Sequence, residues 1–236
     1  FEGARAFTNK PPCGPKRGHG TPQPRFAWEI HLDKAAHALA IDPAELRLKN
    51  AVEPDSLTAN WLRIGTTGLK ECIDAVVAGS EWKERYGKLP QGRGLGLACS
   101  AYLTGAGLPI YWNHMPQSGV QIQLDRSGNV AVFCGEAEIG QGSDSVIAVI
   151  VAEVLGIDLK DIRLCVADTD LTPVDLGSYS SRVTLMCGQA AKQAAERARD
   201  KIAEAVAEHM EVPQEALVFA NGQVFPAHDP DKAIAF

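Results

Sequence analysis

The spacing of apolar positions changes partway along the chain. Over the first 85 or so residues the pattern is loop and helix. In "RFAWEIHLDKAAHALA", Phe26, Ile30 and Leu39 recur at near-helical intervals, with Thr21-Pro22 as cap and first turn. Asp42-Pro43-Ala44-Glu45 repeats the start signal, with an acid at the N-cap, Pro at the first helical position and Glu at the third. "LKECIDAVVAGSEW" predicts a further helix. Later the period becomes two. Val120, Ile122 and Leu124 alternate with Gln121, Gln123 and Asp125, then Ser127-Gly128-Asn129 turns the chain into Val130, Val132 and Cys134. An apolar helix over "SDSVIAVIVAEVLG" and a strand at "DIRLCVAD" complete a unit of βαβ length. A long Ala-rich helix near Thr184 to Met210 and a small hairpin about Asn221-Gly222 follow. The pattern predicts a mixed α+β fold. A mostly helical part over residues 1–88 precedes a hairpin- and βαβ-containing part over 89–236, with the Pro- and Gly-rich stretch at 88–96 as the boundary.

Composition narrows the function classes. The net charge of −6 leaves no polyanion footprint, which argues against nucleic acid as a partner, although Lys10, Lys16, Arg17 and Arg25 form a local basic cluster. The longest apolar run, Val146 to Val151, is too short to span a membrane. None of the six cysteines forms a C-x-x-C pair, and most sit in apolar contexts. They read as small buried hydrophobes in a reducing, cytoplasmic setting. The start at Phe1 and the stop at "AIAF" read as a piece of a longer polypeptide.

The chemistry concentrates in three loops that each feed a helix. In "CGPKRGHGTPQ", Gly14, Gly18 and Gly20 allow close backbone approach, and Lys16 and Arg17 add cations ahead of a helix N-terminus. In "GEAEIGQGSDS", Gly135, Gly140 and Ser143 nearly fit the phosphate loop G-x-x-x-x-G-K-[ST], but Gln141 stands at the lysine position and Gly142 is inserted after it. An amide suits a neutral heterocycle or oxo group, where an ammonium would meet phosphate charge. The competing reading is a glycine-rich turn with Asp144 as helix N-cap. In "GSYSSRVT", Ser178, Ser180 and Ser181 precede Arg182 at another helix start. Capping needs one hydroxyl, so three with an arginine suggest oxyanion recognition. Together the loops suit a long ligand that carries phosphates and polar rings.

"KRGHGTPQ", "GEAEIGQGSD" and "GSYSSRVT", in that order, resemble the molybdopterin-binding subunit of the xanthine oxidase family. The resemblance extends over essentially the whole chain, including "LTANWL", and is nearest to the 4-hydroxybenzoyl-CoA reductase branch. It implies a molybdenum–pterin cofactor, in the cytosine dinucleotide form usual in bacteria. It also implies iron–sulfur and FAD partner subunits and a small aromatic substrate, an aromatic acyl-CoA in that branch. Arg17 with Gly18 resembles the family's arginine beside the molybdenum pocket. Ile139, Gly140, Gln141 and Gly142 resemble its pterin-binding loop, and Ser178, Ser180, Ser181 and Arg182 its phosphate-holding segment. His19 falls where relatives face substrate, and Tyr102 opens "YLTGAGLPIYW", a candidate funnel wall.

Two family features have no match here: the upstream Gly-Phe loop and the downstream Gly-Glu turn that carries the general base. Gly135-Glu136 is the chain's one Gly-Glu pair and stands in a different loop, so no catalytic residue is assigned and the chain alone is expected to be inactive. No residue is expected to ligate the metal directly. The reductase branch implies reductive dehydroxylation of 4-hydroxybenzoyl-CoA to benzoyl-CoA. The rival within the family is an aldehyde, nicotinate or xanthine-type dehydrogenase. Outside the family the alternatives are a phosphate-loop nucleotide protein and a non-catalytic assembly fragment. Among other polar residues, His31 and His37 lie six apart and off one helical face, and Asp168 and Asp170 read as loop caps.

Overall fold

The computed structural model describes residues 3–4, 6–11, 17–18, 20–102, 118–178 and 180–236. It divides into two compact units, Phe1–Tyr102 and Leu103–Phe236. The division falls beyond the Pro/Gly stretch at 88–96, because Leu95, Leu97 and Cys99 still pack on the first unit's core of Ala44, Ile73 and Trp82.

The first unit holds α1 (Pro22–Ala38), α2 (Pro43–Asn50), α3 (Leu69–Gly79) and α4 (Trp82–Arg85). Asp42 caps α2, accepting from the Ala44 and Glu45 N–H groups, and its other oxygen takes the Trp82 indole N–H at 2.9 Å. One carboxylate thus starts a helix and ties it to another. A two-residue ladder, β1 (Ser56–Leu57) with β2 (Arg63–Ile64), interrupts what reads as loop and helix. On α1 the expected apolar face points outward. Phe26 is 72% and Leu39 62% exposed, and the buried positions are Glu29 and Ala36. Glu29 is buried because Arg47 Nε donates to it at 2.8 Å and the Cys99 N–H at 3.0 Å.

The second unit is a two-layer α/β arrangement. β3 (Val120–Leu124) and β4 (Val130–Cys134) form the expected hairpin, and β5 (Ile162–Val166) adds parallel to β4 across α5 (Ser143–Leu155). Alternate β4 residues Val130, Val132 and Cys134 are fully buried against α5 and α6 (Val183–Met210), through Ile147, Val151, Leu155, Ala191 and Ala195. Small residues let the helices approach: a Cβ on Gly188 would lie 3.0 Å from Ile150. The far end of α6 buries Ala203 and Ala207 on a second sheet of β6 (Leu217–Ala220), β7 (Gln223–Pro226) and β8 (Ile234–Ala235). The Asn221-Gly222 hairpin is the expected one, and β8 is an addition to it. No helix among the described residues is long and apolar enough to cross a membrane.

Candidate functional site

In the second unit the sheet delivers two loops to the same end. β4 runs into residues 135–142, which feed α5, and β5 runs into residues 167–182, which feed α6. Both follow the C-terminal ends of parallel neighbouring strands, the edge where ligands bind in open α/β sheets. Gly135 makes their contact possible. A Cβ there would lie 2.2 Å from the Pro173 carbonyl oxygen and 2.8 Å from the Asp175 side chain, so any larger residue would drive the loops apart.

Gln141 ties the two loops together. Its Nε2 reaches the Ala137 carbonyl at 3.0 Å, Ser143 Oγ at 2.7 Å and Ser178 Oγ at 3.1 Å, while its Oε1 accepts the Ile139 N–H at 2.6 Å. Ser178 also accepts from the Ala137 N–H at 3.3 Å and donates to the Ala137 carbonyl. The amide was expected to serve a ligand. In this structure it also sets the geometry of its own loop.

The resemblance to a phosphate loop has a local answer. The Glu138 carboxylate accepts the N–H groups of Gly140 at 2.6 Å, Gly142 at 3.1 Å and Asp144 at 3.3 Å. The Gly142 N–H first, and the other two with it, hold Glu138 below its ordinary pKa. An internal carboxylate therefore takes the anion position at the start of α5. It also takes the capping role that the competing reading gave Asp144, which lies inside the first turn after Gly142. With this position filled from within and no lysine in the loop, the arrangement lacks the groups by which a phosphate loop holds a nucleotide.

What the loops leave open is bare backbone. Gly140, Gly142 and Gly177 have φ of 95°, 80° and 80°, and no heavy atom lies within 4 Å of where a Cβ would stand. Side chains rarely adopt this left-handed region, so glycine suits both the turn and the open face. Ile139, at the tip, is 73% exposed.

Arg182 lies beneath its loop instead of on it. Its guanidinium is fully buried, donating to Asp175 at 2.6 Å, to the Gly177 carbonyl at 3.3 Å and to Ser118 Oγ at 2.9 Å. Burial pushes the Asp175 carboxyl up, but hydrogen bonds from Ser118, Cys187, the Gly177 N–H and Arg182 outweigh it and hold the group below the usual carboxylate range. Arg182 thus fixes the shape of the serine loop. Ser180 and Ser181 both adopt positive φ in the turn before α6.

Sequence reading missed Glu136, set aside as a Gly-Glu pair in the wrong loop. It is fully buried beneath the site, where Oε2 accepts from Ser143 Oγ at 2.8 Å and shares the single Ser178 hydroxyl proton, at 3.2 Å, with the Ala137 carbonyl. A carboxyl on the residue after a strand-end glycine was the available signal.

A family model described as a molybdopterin cofactor-binding domain matches residues 75–236, and a second of the same description matches residues 1–51. The chain belongs to the molybdopterin-binding domains of the xanthine oxidase family. It is 34% identical over 244 residues to the xanthine dehydrogenase molybdenum-binding subunit of Escherichia coli O157:H7, covering 99% of this chain and 32% of that protein. It is 31% identical to the 6-hydroxypseudooxynicotine dehydrogenase complex subunit gamma of Paenarthrobacter nicotinovorans, covering 97% and 30%. The quinoline 2-oxidoreductase of Pseudomonas putida 86 superposes with a TM-score of 0.77 at 25% identity, covering 93% of this chain and 29% of that one. The chain spans about a third of the length of these relatives.

The donor set fits molybdopterin. Neutral amide and hydroxyl groups beside open glycine backbone match a flat, polar, largely neutral pterin better than a polyphosphate. This molybdopterin-binding chain carries the first of its three loops on the other compact unit. There Arg17, Gly18, Glu29 and Tyr102 line a cleft of about 520 Å³. His19 and most of the expected funnel wall lie outside the described residues. His37, set aside as a metal ligand, meets the Tyr86 hydroxyl at 2.9 Å. Asp168 caps its loop as expected, accepting from the Asp170 and Leu171 N–H groups. Among the described residues no group of three His, Cys, Asp or Glu side chains is placed to hold a metal ion.

Proposed function

We propose that this chain forms part of the cofactor pocket of a molybdenum hydroxylase that inserts oxygen from water into a carbon of a nitrogen heteroaromatic ring. The supporting observation is the junction of the two loops at Gln141 and Ser178, with the backbone of Gly140, Gly142 and Gly177 left open beside it. Gln141, Ser178, Ser180 and Ser181 would hold the pterin and its phosphate tail, of the cytosine dinucleotide form, and Arg182 would hold the serine loop in shape. The bound cofactor supplies the two-electron redox step. The overall change converts a ring C–H and one water into a C–OH, two protons and two electrons. The electrons pass to iron–sulfur and FAD centres on partner subunits. On the first unit, Arg17, Gly18 and Tyr102 line a cleft of their own, which the family resemblance assigns to the substrate side.

The names of these three relatives, which carry xanthine, 6-hydroxypseudooxynicotine and quinoline, support the heteroaromatic class. The motif likeness to the 4-hydroxybenzoyl-CoA reductase branch supports a second reading, which we rank behind it. Turnover by the assembled enzyme separates them. Hydroxylation of a purine, pyridine or quinoline with an artificial electron acceptor is the expected result. Reduction of 4-hydroxybenzoyl-CoA, with no oxidation of any heterocycle, would overturn the substrate class.

A further inference from the structure

Beneath the junction of the two loops lies a carboxyl group that the function above does not use. Glu136 is fully buried. Its Oε2 is satisfied by the Ser143 and Ser178 hydroxyls, but Oε1 is buried with no donor. Asp144 Oδ1, in the first turn of α5, is also buried with no donor. Each of these two oxygens is a buried acceptor without a donor, and Asp144 acts on the Glu136 carboxyl by hydrogen bonding and by charge. Ionised carboxylates only accept, so two of them can share a hydrogen bond only if one keeps a proton.

We propose that Glu136 is held protonated and donates from Oε1 to Asp144, and that this acid pair is the latch that sets the Ser143 and Ser178 hydroxyls against Gln141. Glu136 is then a positioning residue, acting on the cofactor loops through two serines. The surroundings agree. Around the pair are Cys134 from β4, which feels the Glu136 charge, and Glu138 from the same loop, which also receives the Ser143 hydroxyl; Cys187 from α6 and Asp175 from the serine loop act on Cys134 in turn. Arg182, the buried cation of the serine loop, is engaged by Asp175. Burial first, and then the hydrogen bond and charge of Asp144, push Glu136 above its ordinary value of 4.5 against the pull of the two serines. A proton held more tightly in the folded state stabilises the fold fully below the ordinary value, and this stabilisation is lost as pH rises through the raised one.

The latch rests on the molybdopterin reading only for its consequence, cofactor retention; its protonation is read on the full chain alone. Infrared difference spectroscopy of the wild type above pH 4.5 should show a carboxylic-acid C=O stretch that Glu136→Gln removes. Asp144→Asn, whose amide can donate to an ionised Glu136, should move the loss of that band to lower pH. The wild type's unfolding temperature should fall as pH rises through the raised value, and Glu136→Gln should be level over the same interval. In the holoenzyme, Glu136→Gln should keep its molybdenum and pterin content above the pH at which the wild type's acid band disappears, where the wild type loses them. No band assignable to Glu136 above pH 4.5, or equal pH dependence of unfolding in wild type and Glu136→Gln, would overturn the acid pair. Equal cofactor loss in the two holoenzymes would overturn the latch. A failed molybdopterin reading has a different signature: the acid band intact, with no bound pterin at any pH.

Discussion

At the scale of single residues, the site depends on where each charge is answered. Arg182 reads from its position as a cation for a phosphate, yet Asp175 and Ser118 close around it. Nothing in "GSYSSRVT" announces Asp175, seven residues upstream, so burial of the pair was not legible there. Removing one partner of a buried ion pair strands the other, at about 3–5 kcal/mol. Arg182→Leu should therefore lower the free energy of unfolding by roughly that amount in a denaturant titration, and an effect under about 1 kcal/mol would mean the pair is not stabilising. Asp175, held below the usual range, adds a pH dependence opposite in sign to that of Glu136. Its contribution is present above the ordinary carboxylate value and lost as pH falls through the depressed one. Acid titration of the unfolding temperature should show that loss, and Asp175→Asn should remove it. Gln141 was legible as the residue that breaks the phosphate-loop pattern. Glu138 was not, because a carboxylate two residues before a glycine gains meaning only once the backbone turns around it.

At the scale of elements, long regular periods carried over into structure and short irregular ones did not. The alternation over 120–134 became β3 and β4, paired as the expected hairpin. Asp42-Pro43 became a capped helix start, and the Ala-rich stretch became α6. The β1–β2 ladder and β8 are two residues each, too short to show a period in the sequence. The apolar residues of α1 follow a helical period but face outward, since a period fixes which residues share a face and not what the face meets. Two substitutions separate packing from loop contact. Ile147→Ala, fully buried between sheet and helices, should cost about 2–5 kcal/mol in unfolding free energy. Gly135→Ala places a methyl against the Pro173 carbonyl and should loosen the two loops. Hydrogen exchange there should rise, while the β3–β4 amides stay protected. Unchanged exchange in residues 135–143 and 173–182 would show that the close approach is not what holds them.

At the scale of the whole chain, each compact unit has its own core, and the loops that resemble the family's cofactor segments are shared between them. The family was legible from three loop motifs in order. The branch within it was not, because the stretch after Tyr102, expected to face substrate, carries no regular pattern to align. The central claim is that the Gln141–Ser178 junction holds molybdopterin. It is tested most directly by the molybdenum and pterin content of the purified holoenzyme carrying Gln141→Ala, beside wild type. Losing hydrogen bonds of about 1 kcal/mol each, at the junction and to the cofactor, predicts roughly a tenfold or greater weakening of retention, seen as depleted metal and pterin with the fold intact. Full and equal occupancy in the two proteins would contradict the account.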